Sequence, residues 1–302
     1  SSDLGGNGND VISGGADNDT VNGGNGNDLA LWRVGDGRDF IDGGANTDTV
    51  HITGDATVEI YRIYSRAAAN AAGLTGLNAN TEIVITRNGT TNASIVAELD
   101  NVEEIAISGF GGGDTFIPIG DFTPTSLATS TITLDGTDGD DIVDISTLQS
   151  AHRIVFRSNG GNDIILGTLR EQDVIELLAG SDPDSFTRSF DEETGFSILS
   201  NGEQQISFAG DFDPVLRVDD EDDEDAHDDE DEDNEDDDED DTGSGDDDED
   251  EEDTGSGDDD DDDDDCGCDD DDDEAGTPSP GPSGGAVRSG TGQADVLIGT
   301  AG

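Results

Sequence analysis

The chain has 302 residues and a formal net charge of -67 at pH 7, from 78 Asp and Glu against 11 basic residues, all Arg. Charge of that sign repels nucleic acid and anionic membranes and draws cations, so the first two are disfavoured as partners. No apolar run approaches the ~18 residues of a membrane span, and two cysteines, Cys266 and Cys268, are too few for a disulfide scaffold.

Residues 1–51 carry a nine-residue period. It reads GGNGNDVIS (5–13), GGADNDTVN (14–22) and GGNGNDLAL (23–31), then, after an insertion of Trp32 and Arg33, VGDGRDFID (34–42) and GGANTDTVH (43–51). Asp stands sixth each time, as Asp10, Asp19, Asp28, Asp39 and Asp48. Ile12, Val21, Ala30, Ile41 and Val50 stand eighth. A tight turn repeated in this way selects glycine, which enters positive φ without a Cβ penalty. The fourth position departs from Gly only at Asp17 and Asn46, the residue types that best tolerate the left-handed region. The sixth-position carboxylates and the turn carbonyls are the oxygen ligands that Ca²⁺ takes. A flexible Gly/Asn/Asp linker would not hold Asp sixth and an apolar residue eighth in register.

This pattern resembles the G-G-x-G-x-D-x-U-x repeat of RTX proteins. The resemblance implies a parallel β-roll. A six-residue turn is followed by a three-residue strand, two nonapeptides make a coil, and several Ca²⁺ ions sit between turns stacked on the same side. The ligands implied are Gly5, Asn7, Gly8 and Asp10 in the first turn and Gly14, Ala16, Asp17 and Asp19 in the second. The third turn gives Gly23, Asn25, Gly26 and Asp28, the fourth Asp36, Gly37 and Asp39, and the fifth Gly43, Ala45, Asn46 and Asp48. Alternate repeats stack, placing Asp10, Asp28 and Asp48 on one edge and Asp19 and Asp39 on the other, where the Trp32-Arg33 insertion is expected to disturb the stack. Rows of unscreened carboxylates repel, so folding is expected to depend on the metal.

Residues 52–217 are less regular and more apolar. Three diverged repeats stand among them: GFGGGDTFI (109–117), GTDGDDIVD (136–144) and SNGGNDIIL (158–166), with Asp114, Asp141 and Asp163 sixth. Asp138, Gly139, Asp141 and Asp163 join the candidate ligands. Strand spacing is seen at Val58 and Ile60, at Ile83 and Ile85, at Ile95, Ala97 and Leu99, and at Ile105 and Ile107. Asn88-Gly89 and Asn201-Gly202 read as hairpin turns, and Arg66 to Ala72 as a helical turn.

The 56 residues from Asp219 to Glu274 hold 42 Asp or Glu and no basic residue. Such a run has nothing apolar to offset its ordering entropy, and it reads as a disordered spacer or a diffuse cation-gathering polyanion. Residues 290–298, GTGQADVLI, return to the repeat with Asp295 sixth. The fold expected is all-β: a parallel β-roll or β-solenoid over 1–51 and an irregular β-rich continuation over 52–217. A disordered polyacidic and Pro/Gly/Ser linker follows over 218–288, and a further repeat block begins at 289–302. A chain starting at Ser1 and stopping within a repeat reads as a piece of a longer protein.

No motif for catalysis emerges. His51, His152 and His227 have no zinc-ligand spacing, and no G-x-S-x-G, P-loop or H-E-x-x-H is present. Residues 82–122 with 131–146 are similar to inter-repeat regions of very large secreted bacterial proteins, some of which carry animal-type haem peroxidase domains; any such activity would belong to sequence outside this chain. The expectation is a non-catalytic calcium-binding module of a secreted bacterial protein, served in the RTX family by a type I secretion apparatus. The alternatives are an accessory region of a secreted enzyme and a calcium-stiffened surface stalk.

Overall fold

The structure is a computed structural model that describes residues 2–129, 131–136 and 139–218 and the strands Val287–Ser289 and Val296–Ile298. The polyacidic run from Asp219 to Glu274, with the candidate ligands Asp138 and Asp295, lies outside the described residues. The fold is all-β and mostly parallel. Strands alternate between two sheets as the chain advances: Ser2–Asn7, Thr20–Asn25 and Asp39–Ala45 in the first, Val11–Ser13, Leu29–Arg33 and Thr49–Thr53 in the second. Eighth-position residues meet in register, Val21 opposite Ile41 in one sheet and Ile12, Ala30 and Val50 in the other. They point inward because strand side chains alternate faces, and all five are buried.

Strands of three residues were expected from the repeat, but most are longer. Thr20–Asn25 and Asp39–Ala45 run on through the Gly-Gly pair of the following turn, with Gly24 paired to Gly6 and Gly44. The missing side chains permit this: a Cβ on Gly24 would lie 2.2 Å from the Gly6 carbonyl oxygen. The Trp32-Arg33 insertion is taken up by lengthening Leu29–Arg33, which pairs Trp32 with Ile52 and Arg33 with Thr53. Trp32 is buried and its indole N–H donates to the Gly37 carbonyl at 3.1 Å.

The roll continues through residues 52–217. The second sheet adds Glu104–Ser108, Thr131–Asp135, Arg153–Ser158, Val174–Leu177 and Val215–Val218, all parallel. In the first sheet an antiparallel hairpin, Ile83–Arg87 with Ile95–Asp100, is wedged between Asp39–Ala45 and Ile60–Ser65. Parallel pairing then resumes with Thr115–Asp121, Ile142–Asp144 and Asn162–Leu166. Asn88-Gly89 lies in the longer connection of that hairpin. Asn201-Gly202 turns Phe196–Ser200 into Gln205–Ala209, with the Asn201 Oδ1 accepting from the Glu203 and Gln204 N–H groups. The expected helical turn is the helix Arg66–Ala71, capped by Ser65, whose hydroxyl accepts from the Ala68 N–H. One hydrophobic core runs from Ile12 to Phe208. It widens from Val21 and Ala30 to Tyr61 stacked on Phe116, with ring centroids 6.0 Å apart. The strands Val287–Ser289 and Val296–Ile298 pair in parallel with Ser2–Asn7 and Val11–Ser13, extending both sheets at the amino-terminal end.

Candidate metal centre

The turn backbone explains the repeat. The second position has positive φ at Gly6, Gly15, Gly24, Gly35 and Gly44, and the fourth at Gly8, Asp17, Gly26, Gly37 and Asn46. The two non-glycine exceptions thus sit in the left-handed conformation that their residue types were expected to supply. First-position glycines lie under their own sixth-position carboxylates: a Cβ on Gly23 would stand 2.4 Å from Asp28 Oδ2, and one on Gly43 would stand 2.8 Å from Asp48 Oδ2.

The sixth-position carboxylates form columns. The Asp28 Oδ1 accepts from the Asp10 N–H at 2.8 Å, and the Asp48 Oδ1 from the Asp28 N–H at 2.8 Å. On the other edge the Asp39 Oδ1 accepts from the Asp19 N–H at 2.9 Å. The insertion was expected to disturb this second stack, and it does not, because the extra residues lengthen a strand on the opposite sheet and leave the turn in phase. All five carboxylates are buried. The Oδ2 atoms of Asp28 and Asp48 are also buried and find no hydrogen-bond partner among the described residues. An unmatched buried carboxylate oxygen is costly, and burial accordingly pushes the carboxyls of Asp39 and Asp48 up to about 7 and raises that of Asp28.

The neighbouring turn groups are placed as follows. The third-position carbonyls of Asn25 and Ala45 accept from the Gly8 and Gly26 N–H groups at 2.8 and 3.2 Å, which leaves each a second lone pair. The side chains of Asn7 and Asn25 bond to each other at the surface. Ala16 is exposed, and the Asp36 carboxylate is turned back to cap the Arg33 N–H at 2.8 Å. Gly5 and Gly14 pack under Asp10 and Asp19 as Gly23 does under Asp28. Fourth-position carbonyls aim at the next coil: a Cβ on Gly26 would lie 2.2 Å from Gly8 O, and one on Gly37 2.5 Å from Asp17 O. Among the described residues no three His, Cys, Asp or Glu side chains converge. A cation held here would therefore draw on backbone carbonyls as much as on carboxylates, as calcium does. The donor set is all oxygen, carries charge, and includes oxygens unmatched among the described residues. It fits Ca²⁺.

The fifth position was not singled out in the sequence, yet it forms a second ladder. The Oδ1 atoms of Asn9, Asn18 and Asn27 accept from the fifth-position N–H groups of the next coil, those of Asn27, Arg38 and Thr47. Its signal was the recurrence of Asn just before Asp in the first three repeats.

In the continuation the same column reappears. The Asp114 Oδ1 accepts from the Glu59 N–H at 2.8 Å, the Asp141 Oδ1 from the Asp114 N–H at 2.6 Å and the Asp163 Oδ1 from the Asp141 N–H at 2.9 Å. Glu59 is thus a sixth-position residue that sequence reading passed over. Gly54 five residues before it and Tyr61 two after keep the spacing of the repeat. Gly139, fourth in its turn, faces the Gly112 carbonyl.

Residues 4–30 and 33–52 match, in four copies, the family described as RTX calcium-binding nonapeptide repeat. These residues carry RTX repeats. No curated protein matches the chain. Among solved structures, the extracellular lipase LipA from Serratia marcescens aligns at 16% identity over 70% of this chain and 38% of that one, with a TM-score of 0.26. This chain therefore spans well under half the length of that protein. The comparisons lend no support to the likeness to peroxidase-associated regions.

Proposed function

We propose that residues 5–51 bind several Ca²⁺ ions between stacked turns and that this binding is coupled to folding outside the cell. The observation that carries the reading is the column of buried carboxylates, with the Oδ2 atoms of Asp28 and Asp48 unmatched inside RTX turns. The holding residues are Asp10, Asp28 and Asp48 on one edge and Asp19 and Asp39 on the other, with turn carbonyls of the same repeats. Calcium held there would supply positive charge to these buried carboxylates. In the folded roll the fifth- and sixth-position ladders hold the oxygens of the turns in place. Binding to the folded form alone raises stability with free Ca²⁺. Residues 5–51 then stay unfolded where calcium is scarce and fold where it is abundant, which suits a secreted bacterial protein exported by a type I apparatus.

The region is read as non-catalytic. A reaction or a stalk function of a longer protein would lie beside it, and no side-chain arrangement described above favours either. Far-UV circular dichroism of the full chain tests the reading, with Ca²⁺ titrated in after EGTA and Mg²⁺ as control. The expected result is a cooperative gain of β signal with Ca²⁺ and not with Mg²⁺. A spectrum unchanged by Ca²⁺ sinks it.

A further inference from the structure

We infer that a cleft between the turn 34–39 and the connection 88–94 is a binding site for a neutral saccharide of one or two sugar rings. It draws on side chains that the calcium reading does not use.

The cleft exists because the two edges of the roll stack differently. On one edge the column runs unbroken from Asp10 through Asp28 and Asp48 to Glu103, whose Oε2 accepts from the Asp48 N–H at 2.9 Å. On the other edge Asp39 receives the Asp19 N–H, and the column restarts at Glu59, whose own N–H goes to Asp114. Between Asp39 and Glu59 the first sheet holds the hairpin Ile83–Arg87 with Ile95–Asp100. The turns 34–39 and 54–59 therefore lead into strands three spacings apart instead of one, at about 4.8 Å each. The space left is an open cleft of about 600 Å³, within the range of small-ligand sites.

Its apolar lining includes Ala93, Val96 and Trp32, the last belonging to the insertion that interrupts the five repeats. Its polar side chains offer donors. Arg38 gives its Nε–H and Nη2–H to Glu98 Oε1, at 2.9 and 2.6 Å, and a further Nη2–H to the Gly76 carbonyl at 3.0 Å. Arg87 gives its Nε–H to Glu59 and its Nη2–H to Asp55. Each guanidinium keeps an Nη1 group with no partner among the described residues. The Asn18 Oδ1 accepts from the Arg38 N–H at 3.0 Å, and the Asn18 Nδ2 is left in the same state. The ion pairs fix both guanidiniums in advance, which lowers the ordering cost of a ligand.

These donors come without spare positive charge. Arg38 is matched by Glu98 and Arg87 by Glu59, both buried, and the whole chain carries -67, so an anion is repelled. Fixed neutralised donors beside apolar surface suit a neutral ligand with many oxygen acceptors and apolar ring faces. A sugar ring has both.

The test titrates the calcium-saturated full chain with cellobiose, maltose and N,N′-diacetylchitobiose. The readout is the emission of Trp32, the one tryptophan of the chain, which lines the cleft. A saturable change with at least one of the three is expected, and none with galacturonate, the anionic control. Ala93→Phe, at an exposed position, fills the cleft and is expected to abolish the change. Asn18→Asp keeps the oxygen that receives the Arg38 N–H and removes the Nδ2 donor. Its affinity is expected to fall roughly two- to tenfold, the contribution of one hydrogen bond. Far-UV circular dichroism checks that each variant folds, and Asn18→Asp decides alone if Ala93→Phe does not. No response to any of the three disaccharides overturns the site, as does an affinity unchanged in a folded variant. A response to galacturonate alone overturns the neutral class of ligand.

Discussion

In the RTX turns of residues 5–51 the sixth-position carboxylates of Asp28 and Asp48 leave an oxygen unmatched among the described residues. In the continuation, several equivalent carboxylates are met by side chains of the same chain. Glu59 is met by Arg87, Asp163 by Ser158, and Asp173 by Arg170, whose Nη2 lies 2.6 Å from Asp173 Oδ1 while that oxygen also accepts from the Ile154 N–H. The turn architecture is shared, and what meets the second oxygen differs: a guanidinium at Glu59 and Asp173, a neutral hydroxyl at Asp163. A guanidinium is covalently present at any calcium concentration, whereas a metal comes and goes. The wider core of the continuation, with Tyr61, Phe116, Phe156 and Phe208 buried, adds more aromatic bulk than the first coils, whose core is Val, Ala and Ile with Trp32. On the calcium reading proposed above, the roll is graded along its length from metal-held to self-held.

The strongest way to break that contrast is Arg87→Ala. Removing the cation leaves Glu59 buried and uncompensated, which costs about 3–5 kcal/mol for a pair of this kind. Chemical denaturation with saturating Ca²⁺ should show a loss of that order. A loss under about 1 kcal/mol, the size of a surface pair, would mean that Arg87 does not hold the coil.

A pH series sharpens the contrast on the metal-free side. Burial pushes Asp39 and Asp48 up to about 7, Asp114 to about 6 and Asp141 to about 8, from an ordinary value of 3.8. The folded chain thus binds more protons than the unfolded one between about pH 4 and about pH 8, so calcium-free stability falls as pH rises through that window. Calcium affinity should rise over the same window, because the ligands must be deprotonated. Thermal melts of the calcium-depleted chain at pH 5 and pH 8, which report the continuation through Asp114 and Asp141, check this; an equal or higher Tm at pH 8 contradicts it.

The smallest effect is expected from the fifth-position ladder. Asn9→Ala removes the acceptor of the Asn27 N–H, an exposed bond at 2.8 Å. A loss of roughly 0.5–1.5 kcal/mol is the usual contribution of one such bond. Asn18→Ala should behave alike if the ladder works on both edges, and denaturant midpoints in Ca²⁺ compare the two.

Much of this molecule was legible in the residues because the repeat is a local device. Each turn's φ requirement is met by the residue that stands there, Gly8 or Gly26 ordinarily and Asp17 or Asn46 by exception, and the inward stripe from Ile12 to Val50 follows from strand alternation. The carboxylate columns of Asp10, Asp28 and Asp48 and of Asp19 and Asp39 follow from stacking alternate repeats. What escaped was whatever depends on a distant partner. Glu59 meets Arg87 only because the hairpin at 83–100 folds back against Ile60–Ser65, 28 residues on. The Gln204 amide reaches Ser158 across 46 residues. Local spacing places a carboxylate in a turn; whether that carboxylate still needs a cation depends on which side chain the tertiary fold brings to its second oxygen.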